Sequence, residues 1–313
     1  MKHYFLINPA AGKGKLYRRL DGEIRTFCEG QGVDYEVYYT KGAGDAEDYI
    51  RRTCHKNSGE LRFYACGGDG TLNEAANGAA GYPNAAVGVI PTGTGNDFVR
   101  NFTCRERFFD MGAQIGGRVA GLDLIEYNQR YATTTLNSGF DAEVVKTVLR
   151  IKRYPVVPVK AAYFIGALVQ LISKPGVKMR VAIDGGEIQE KDLLLVCIGN
   201  SAYCGGGFHS GPHAGVADGE LDVCFIKNVS RLTFLSLLGS YKDGTYLQRR
   251  GIDKIAEYVK CHSLDIDFGE PRSISVDGEL VESDRLSVRI KPGALRFCLP
   301  AGCEAIEPLP YLP

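Results

Sequence analysis

Short apolar runs alternate with amphipathic segments through the first part of the chain. Residues 3–8 predict a buried strand, 16–31 a helix and 34–40 a second strand. Residues 44–55 predict a helix capped by Asp45, 61–66 a third strand, 72–80 a helix and 86–91 a fourth strand. Strand–helix alternation with linkers of a few residues argues for a mostly parallel sheet covered by helices. Such sheets bind ligands beyond the carboxyl ends of their strands. Three glycine-rich turns fall at those ends.

After about residue 122 the rhythm changes. Strand-like runs occupy 121–127, 130–136, 178–183, 193–198, 221–227, 263–268, 272–276, 285–290 and 294–299. Many end in turn signals: Asp184-Gly185, Asp218-Gly219, Asp277-Gly278 and Pro292-Gly293. Segments 141–150, 161–173 and 231–246 read as helical interruptions. The expected organisation is an α/β domain at 1–125 with a mostly parallel sheet, then a β-rich antiparallel sandwich at 126–300. A tail at 301–313 is expected to pack back on the first domain, and a cleft to separate the two domains.

Composition narrows the classes of function. Lys plus Arg equals Asp plus Glu at 37 each, so the basic excess of a nucleic-acid binder is missing. The 10 cysteines are scattered with no CxxC pair, and several sit in apolar runs, which predicts reduced core thiols and a cytoplasmic protein. The apolar run at 4–7 is too short for a signal peptide. The longest apolar stretch, 156–172, is interrupted by Pro158, Lys160 and Gln170 and makes a poor membrane span.

Gly67-Gly68-Asp69-Gly70-Thr71-Leu72-Asn73-Glu74 follows the third strand. Consecutive glycines let amides point inward, and a helix start adds its positive end, which together suit phosphates. An aspartate in such a cradle calls for a cation between it and the phosphates, so Asp69 suggests nucleotide-bound Mg²⁺. Taken alone, the segment also reads as an ordinary glycine turn with Asp69 as a cap. Asn8-Pro9-Ala10-Ala11-Gly12-Lys13-Gly14 follows the first strand and is not a Walker A loop, because neither Ser nor Thr follows Lys13. Pro91-Thr92-Gly93-Thr94-Gly95-Asn96-Asp97-Phe98 follows the fourth strand, with Thr94 able to donate to a phosphate.

These three segments, in this order and spacing, resemble the catalytic family of diacylglycerol kinases, in the bacterial lipid-kinase branch related to sphingosine and ceramide kinases. Asn137-Ser138-Gly139-Phe140-Asp141-Ala142, Gly205-Gly206-Gly207, Asp218-Gly219-Glu220-Leu221-Asp222 and Val276-Asp277-Gly278-Glu279 continue the likeness over nearly the whole chain. The resemblance implies ATP contacts at Asn8, Thr40, Gly67, Gly68, Asp69, Gly70, Thr71, Leu72, Asn73 and Thr94. It implies Glu279 as the base, with Asp97 and Asp123 joining Asp69 in the network of base, metal and substrate. It also implies a second, structural Mg²⁺ on the Asp218 carboxylate and backbone oxygens near Gly215 and Glu220.

The implied activity is transfer of the γ-phosphoryl group of ATP to a hydroxyl of diacylglycerol or a similar membrane lipid. Phosphatidylglycerol and sphingoid bases are alternative acceptors. An NAD kinase shares the GGDGT cradle and is the runner-up, but the Asn8-Pro9 loop and the turn from Gly93 to Phe98 resemble the lipid branch. No nucleic-acid partner is expected, a homodimer stays open, and membrane contact is expected to be peripheral and transient. Residues 146–160 mix Lys146, Arg150, Lys152, Arg153 and Lys160 with apolar side chains. That segment reads equally as a headgroup-facing surface or as a solvated basic face. His209 and His213 receive no role.

Overall fold

The computed structural model describes residues 1–14, 16–151 and 176–311. The predicted helix at 161–173, the apolar stretch at 156–172 and the basic residues from Lys152 onward lie outside them. Strands β1 (Lys2–Ile7), β2 (Tyr35–Tyr39), β3 (Leu61–Gly67) and β4 (Ala85–Pro91) form a parallel sheet in the order β2-β1-β3-β4. β3 and β4 are buried along their whole length, as strands with both faces covered must be.

Helix α1 (Tyr17–Gln31) lays Leu20, Ile24 and Cys28, spaced one turn apart, on Phe5, Ile7, Tyr64 and Cys66. Helices α2 (Asp45–Lys56) and α3 (Asp69–Ala79) cover the opposite face through Ala46, Ile50, Leu72, Ala75 and Ala76. Gly44, with φ 81°, is the N-cap of α2, whereas Asp45 lies inside the helix and accepts from the Lys41 amide and the Tyr38 hydroxyl. The predicted cap therefore shifts by one residue. A short helix α4 (Met111–Ile115) anchors buried Gln114, whose amide donates to the Val89 and Phe108 carbonyls.

The second part is the antiparallel β-sandwich. It comprises β5 (Arg118–Tyr127), β6 (Arg130–Ala132), β7 (Thr135–Gly139), β8 (Val177–Ile183), β9 (Gln189–Gly199), β10 (Leu221–Lys227), β11 (Ala256–Cys261), β12 (Ser263–Val276) and β13 (Glu279–Leu299). Helices α5 (Phe140–Ile151) and α6 (Arg231–Asp243) interrupt it. Alternate residues, among them Val196, Ile198, Val223, Phe225, Leu264 and Ile266, fill its core.

Several predicted boundaries change for local physical reasons. The run 130–136 breaks at Thr133 and Thr134, whose amides and hydroxyls turn to the Asp277 carboxylate instead of a ladder. The runs 263–268 and 272–276 join into β12 across a register shift that holds Gly269 at φ 75°. β13 likewise unites two predicted strands across a shift at Pro292-Gly293. Helix α6 stops at Gly244, φ 76°, short of the predicted end. β11 is an addition, masked in sequence because Lys260 faces inward to acids where an apolar residue would be expected.

β13 joins the two halves. It pairs antiparallel with β12 and β5, and Phe297 near its end pairs parallel with Val87 of β4. Phe297 packs there with Phe98, Phe102 and Phe108. Residues past β13 return to the first half, where Ala305 bridges Phe102 and Ile306 donates to the Asn101 carbonyl.

Candidate active site

The carboxyl ends of β1, β3 and β4 meet at one corner, made possible by glycine. A Cβ on Gly93 would lie 2.3 Å from the Gly68 Cα, and one on Gly67 would lie 2.2 Å from Thr71 Oγ1. The Thr92 and Gly93 amides both donate to the Gly67 carbonyl, binding the two turns together. The Asn8 amide donates to Thr71 Oγ1 at 3.1 Å, and its oxygen accepts from the Ala10 amide, which draws in the third turn. Asn96 stands at φ 51°, and its Oδ1 is buried without a hydrogen-bond partner among the described residues.

Helix α3 starts at Asp69, three residues before the predicted start, so the second glycine of the motif becomes its N-cap. The helical ladder begins with the Leu72 amide on the Gly68 carbonyl, leaving the amides of residues 69–71 as its open N-terminal end. Leu72 points into the core, so it can offer a nucleotide backbone only. Thr94 is exposed at the tip of its turn. Thr40 is half-buried just beyond β2 with its amide on the Ile7 carbonyl.

Asp69 turns sideways within this corner. Its carboxylate accepts from the Asp97 and Phe98 amides at 3.1 and 3.2 Å, which fixes the turn carrying Asp97. Desolvation, reinforced by the Asp97 charge, pushes the Asp69 carboxyl up to about 6. Asp97 is buried and raised by desolvation, while the Gly206 amide at 2.7 Å and Arg100 at 3.1 Å oppose the rise. Gly205, Gly206 and Gly207 all have positive φ, which aims that amide at Asp97 from the second half.

Glu279 comes from the sandwich and reaches the same corner. Its Oε1 lies 3.2 Å from where a Cβ on Gly70 would stand. Desolvation raises its carboxyl above the ordinary value, Glu74 and Asp277 add to the rise, and Arg130 opposes it. The turn is held by Asp277, which accepts from the Asn73 amide, the Thr133 and Thr134 amides and hydroxyls, and the Thr135 amide. The sequence marked Asp277 only as part of a turn and a motif, with no role of its own, although the run Thr133-Thr134-Thr135 offered a signal. Arg100 was missed too.

Asp123 and the Asp218 turn form a second cluster. Buried Asp123 accepts from the Gly219 amide at 2.7 Å and the Gly293 amide at 2.8 Å, and desolvation raises its carboxyl. One Asp218 oxygen takes the Glu220 amide and the other takes Lys260 Nζ at 2.8 Å. The same ammonium lies 3.2 Å from both Glu220 and Asp222. The expected second metal, on the Asp218 carboxylate with backbone oxygens near Gly215 and Glu220, does not fit this arrangement, because the Lys260 ammonium already occupies that carboxylate. No sequence signal exposed Lys260, since the Asp222–Lys260 pairing depends on strand register. His213 bonds the Leu309 carbonyl and His209 stacks on Tyr203, so neither joins the acids.

An open helix end between crossed glycine turns suits phosphates, and a carboxylate from the sandwich half overlooks it. That layout is suited to phosphoryl transfer. Residues 2–127 match the diacylglycerol kinase catalytic domain family, and residues 134–299 match the YegS C-terminal NAD kinase beta sandwich-like domain. A diacylglycerol kinase of Staphylococcus carnosus (strain TM300) is 30% identical, covering 88% of this chain and 87% of its own length. A protein named "Probable lipid kinase YegS-like" of Stenotrophomonas maltophilia (strain K279a) is 29% identical, over 88% of this chain and 90% of its own. The fold matches the crystal structure of a diacylglycerol kinase from Bacillus anthracis str. Sterne, with TM-score 0.70, 21% identity and coverage of 96% and 97% of the two chains. The chain belongs to the diacylglycerol kinase and YegS-like family and is a lipid kinase. Among the described residues, no helix is long and apolar enough to cross a membrane.

Proposed function

We propose that this kinase transfers the γ-phosphoryl group of ATP to a hydroxyl of diacylglycerol, or a closely similar membrane lipid, giving phosphatidic acid. The supporting observation is the approach of Glu279 to Gly70, which sets an acceptor-side acid over the phosphate corner. Asn8, the backbone from Gly67 to Asn73, and Thr94 hold the triphosphate, with Thr40 beside the nucleoside. Glu279 accepts the hydroxyl proton as the lipid oxygen forms its bond to the γ-phosphorus and the bond to the ADP oxygen breaks. A raised carboxyl suits a base working near neutral pH.

A nucleotide-bound Mg²⁺ fits the first corner, where Asp69, whose carboxylate meets two amides but no cation among the described residues, and the unpartnered Asn96 Oδ1 supply hard oxygen donors. Bound there, it would neutralise phosphate charge. Arg100 and the Gly206 amide orient Asp97 and favour its ionised form against the desolvation that raises its carboxyl. The lipid is taken from a bilayer surface with the protein bound peripherally.

The test is incubation with labelled ATP and Mg²⁺ against mixed micelles of diacylglycerol, phosphatidylglycerol or a sphingoid base, with NAD as a soluble arm. Label in phosphatidic acid is the expected result. Label in another lipid alone would reassign the acceptor, and label in NAD alone would overturn the reading.

A further inference from the structure

We propose that Lys260 is a built-in cation for the turn from Asp218 to Asp222, supplying through its ammonium the charge that a bound divalent metal would otherwise bring. This half of the site is then held without a metal of its own, whichever lipid the enzyme uses.

The geometry begins in the sheet. Lys260 on β11 stands opposite Asp222 on β10 in antiparallel register. Asp222 is fully buried, and a buried carboxylate must be paired or it destabilises the fold. Lys260 Nζ lies 2.8 Å from Asp218, 3.2 Å from Glu220 and 3.2 Å from Asp222. An ammonium has three N–H donors, and here it meets three carboxylates. The remaining contacts complete the accounting: Asp222 Oδ1 takes the Tyr258 hydroxyl at 2.6 Å, and Asp218 Oδ1 takes the Glu220 amide at 3.1 Å. Both Asp218 oxygens are therefore engaged. A divalent ion binding there would have to displace the ammonium or lie against it, and like charges repel.

The consequence reaches the neighbouring turns. With Asp218 fixed by Lys260, the Gly219 amide is presented to Asp123, which also holds the Gly293 amide. Lys260 is thus a positioning residue, acting through Asp218 and Asp123.

The test uses the full chain, nucleotide-free and chelator-treated, followed by thermal unfolding with and without Mg²⁺ and by Mn²⁺ titration read by electron paramagnetic resonance. In the unaltered protein, Tm should not respond to Mg²⁺ in any way that Asp218→Asn removes, and Mn²⁺ binding should match between the unaltered protein and Asp218→Asn. Lys260→Met should lower Tm by several degrees, and added Mg²⁺ or Mn²⁺ should restore it. That restored binding should vanish in Lys260→Met/Asp218→Asn. Lys260→Arg should keep Tm indifferent to metal. Asp218-dependent Mn²⁺ binding in the unaltered protein would overturn the proposal. So would a Lys260→Met protein as stable as the parent with no response to metal. Should Lys260→Met fail to fold, the comparison of the unaltered protein with Asp218→Asn still decides.

Discussion

The Asn73 side-chain amide donates to Asp277 Oδ2 over 2.8 Å, tying the phosphate-cradle helix to the turn that carries Glu279. Residues 204 positions apart thereby set the distance between the phosphate corner and the carboxylate above it. Asp277 has φ 47°, a left-handed conformation that costs a non-glycine residue and needs outside support. Its carboxylate receives that support from Asn73 and from three successive threonines.

Asp277→Ala should therefore destabilise the fold by roughly 2–4 kcal/mol, since several donors lose a charged acceptor at once. Asp277→Asn should fall between the two. Urea unfolding of the three proteins checks the order, and an alanine variant as stable as the parent would remove Asp277 as the anchor. Activity should drop in both variants because Glu279 sits two residues beyond the lost bonds.

Two glycine substitutions should separate position from folding. Gly70→Ala places a methyl 3.2 Å from Glu279 Oε1, and a flexible carboxylate can move away. The fold should survive while kcat falls. Gly93→Ala drives a methyl to within 2.3 Å of the Gly68 Cα, and backbone cannot yield so cheaply. That variant should lose both nucleotide binding and thermal stability. Calorimetric titration with an ATP analogue beside a thermal melt tells the two apart.

Glu279→Gln should lower kcat by about 10²–10⁴, the usual contribution of a positioned base, while ATP affinity holds. The parent enzyme should show the linked pH effect. Glu279 titrates above the ordinary 4.5, so kcat/KM should begin to fall at a higher pH on acidification than a free glutamate would dictate. Neutralising a neighbour with Glu74→Gln should move that acid limb to lower pH. A limb unmoved in that variant would show that the Glu74 charge does not act on the base.

The halves of the protein differ in how far sequence reveals them. β1 to β4 were legible because buried parallel strands are continuous apolar runs punctuated by glycine turns, and β10 was placed residue for residue. β6 and β7 were read as one strand, because the break at Thr133-Thr134 turns their amides and hydroxyls to Asp277, far along the chain. The same holds for chemistry. The glycine corner is local and readable, as is the short Asp-Gly-Glu turn. What the turn leans on comes from contacts far apart in the chain, and the ammonium that fills the Asp218 cluster from strand register, pairings that no local pattern encodes.

His3 offers a test of stability that does not touch the site. Only 3% exposed, it packs its ring on Tyr64 and shares a 3.1 Å hydrogen bond with the Tyr64 hydroxyl. Burial, assisted by the Arg62 charge, lowers it from 6.5 to about 4. Between those values the unfolded chain binds a proton that the folded chain resists. Acidification from pH 6.5 toward pH 4 must then draw the equilibrium toward unfolding, with no further loss from this group below that range. Between pH 7 and pH 5 the loss should be about 2 kcal/mol. His3→Gln carries no such proton, so its urea midpoint should fall less over the same interval, whatever the other groups contribute to both proteins. Equal pH slopes for the two would show that His3 is free to take up its proton in the folded state.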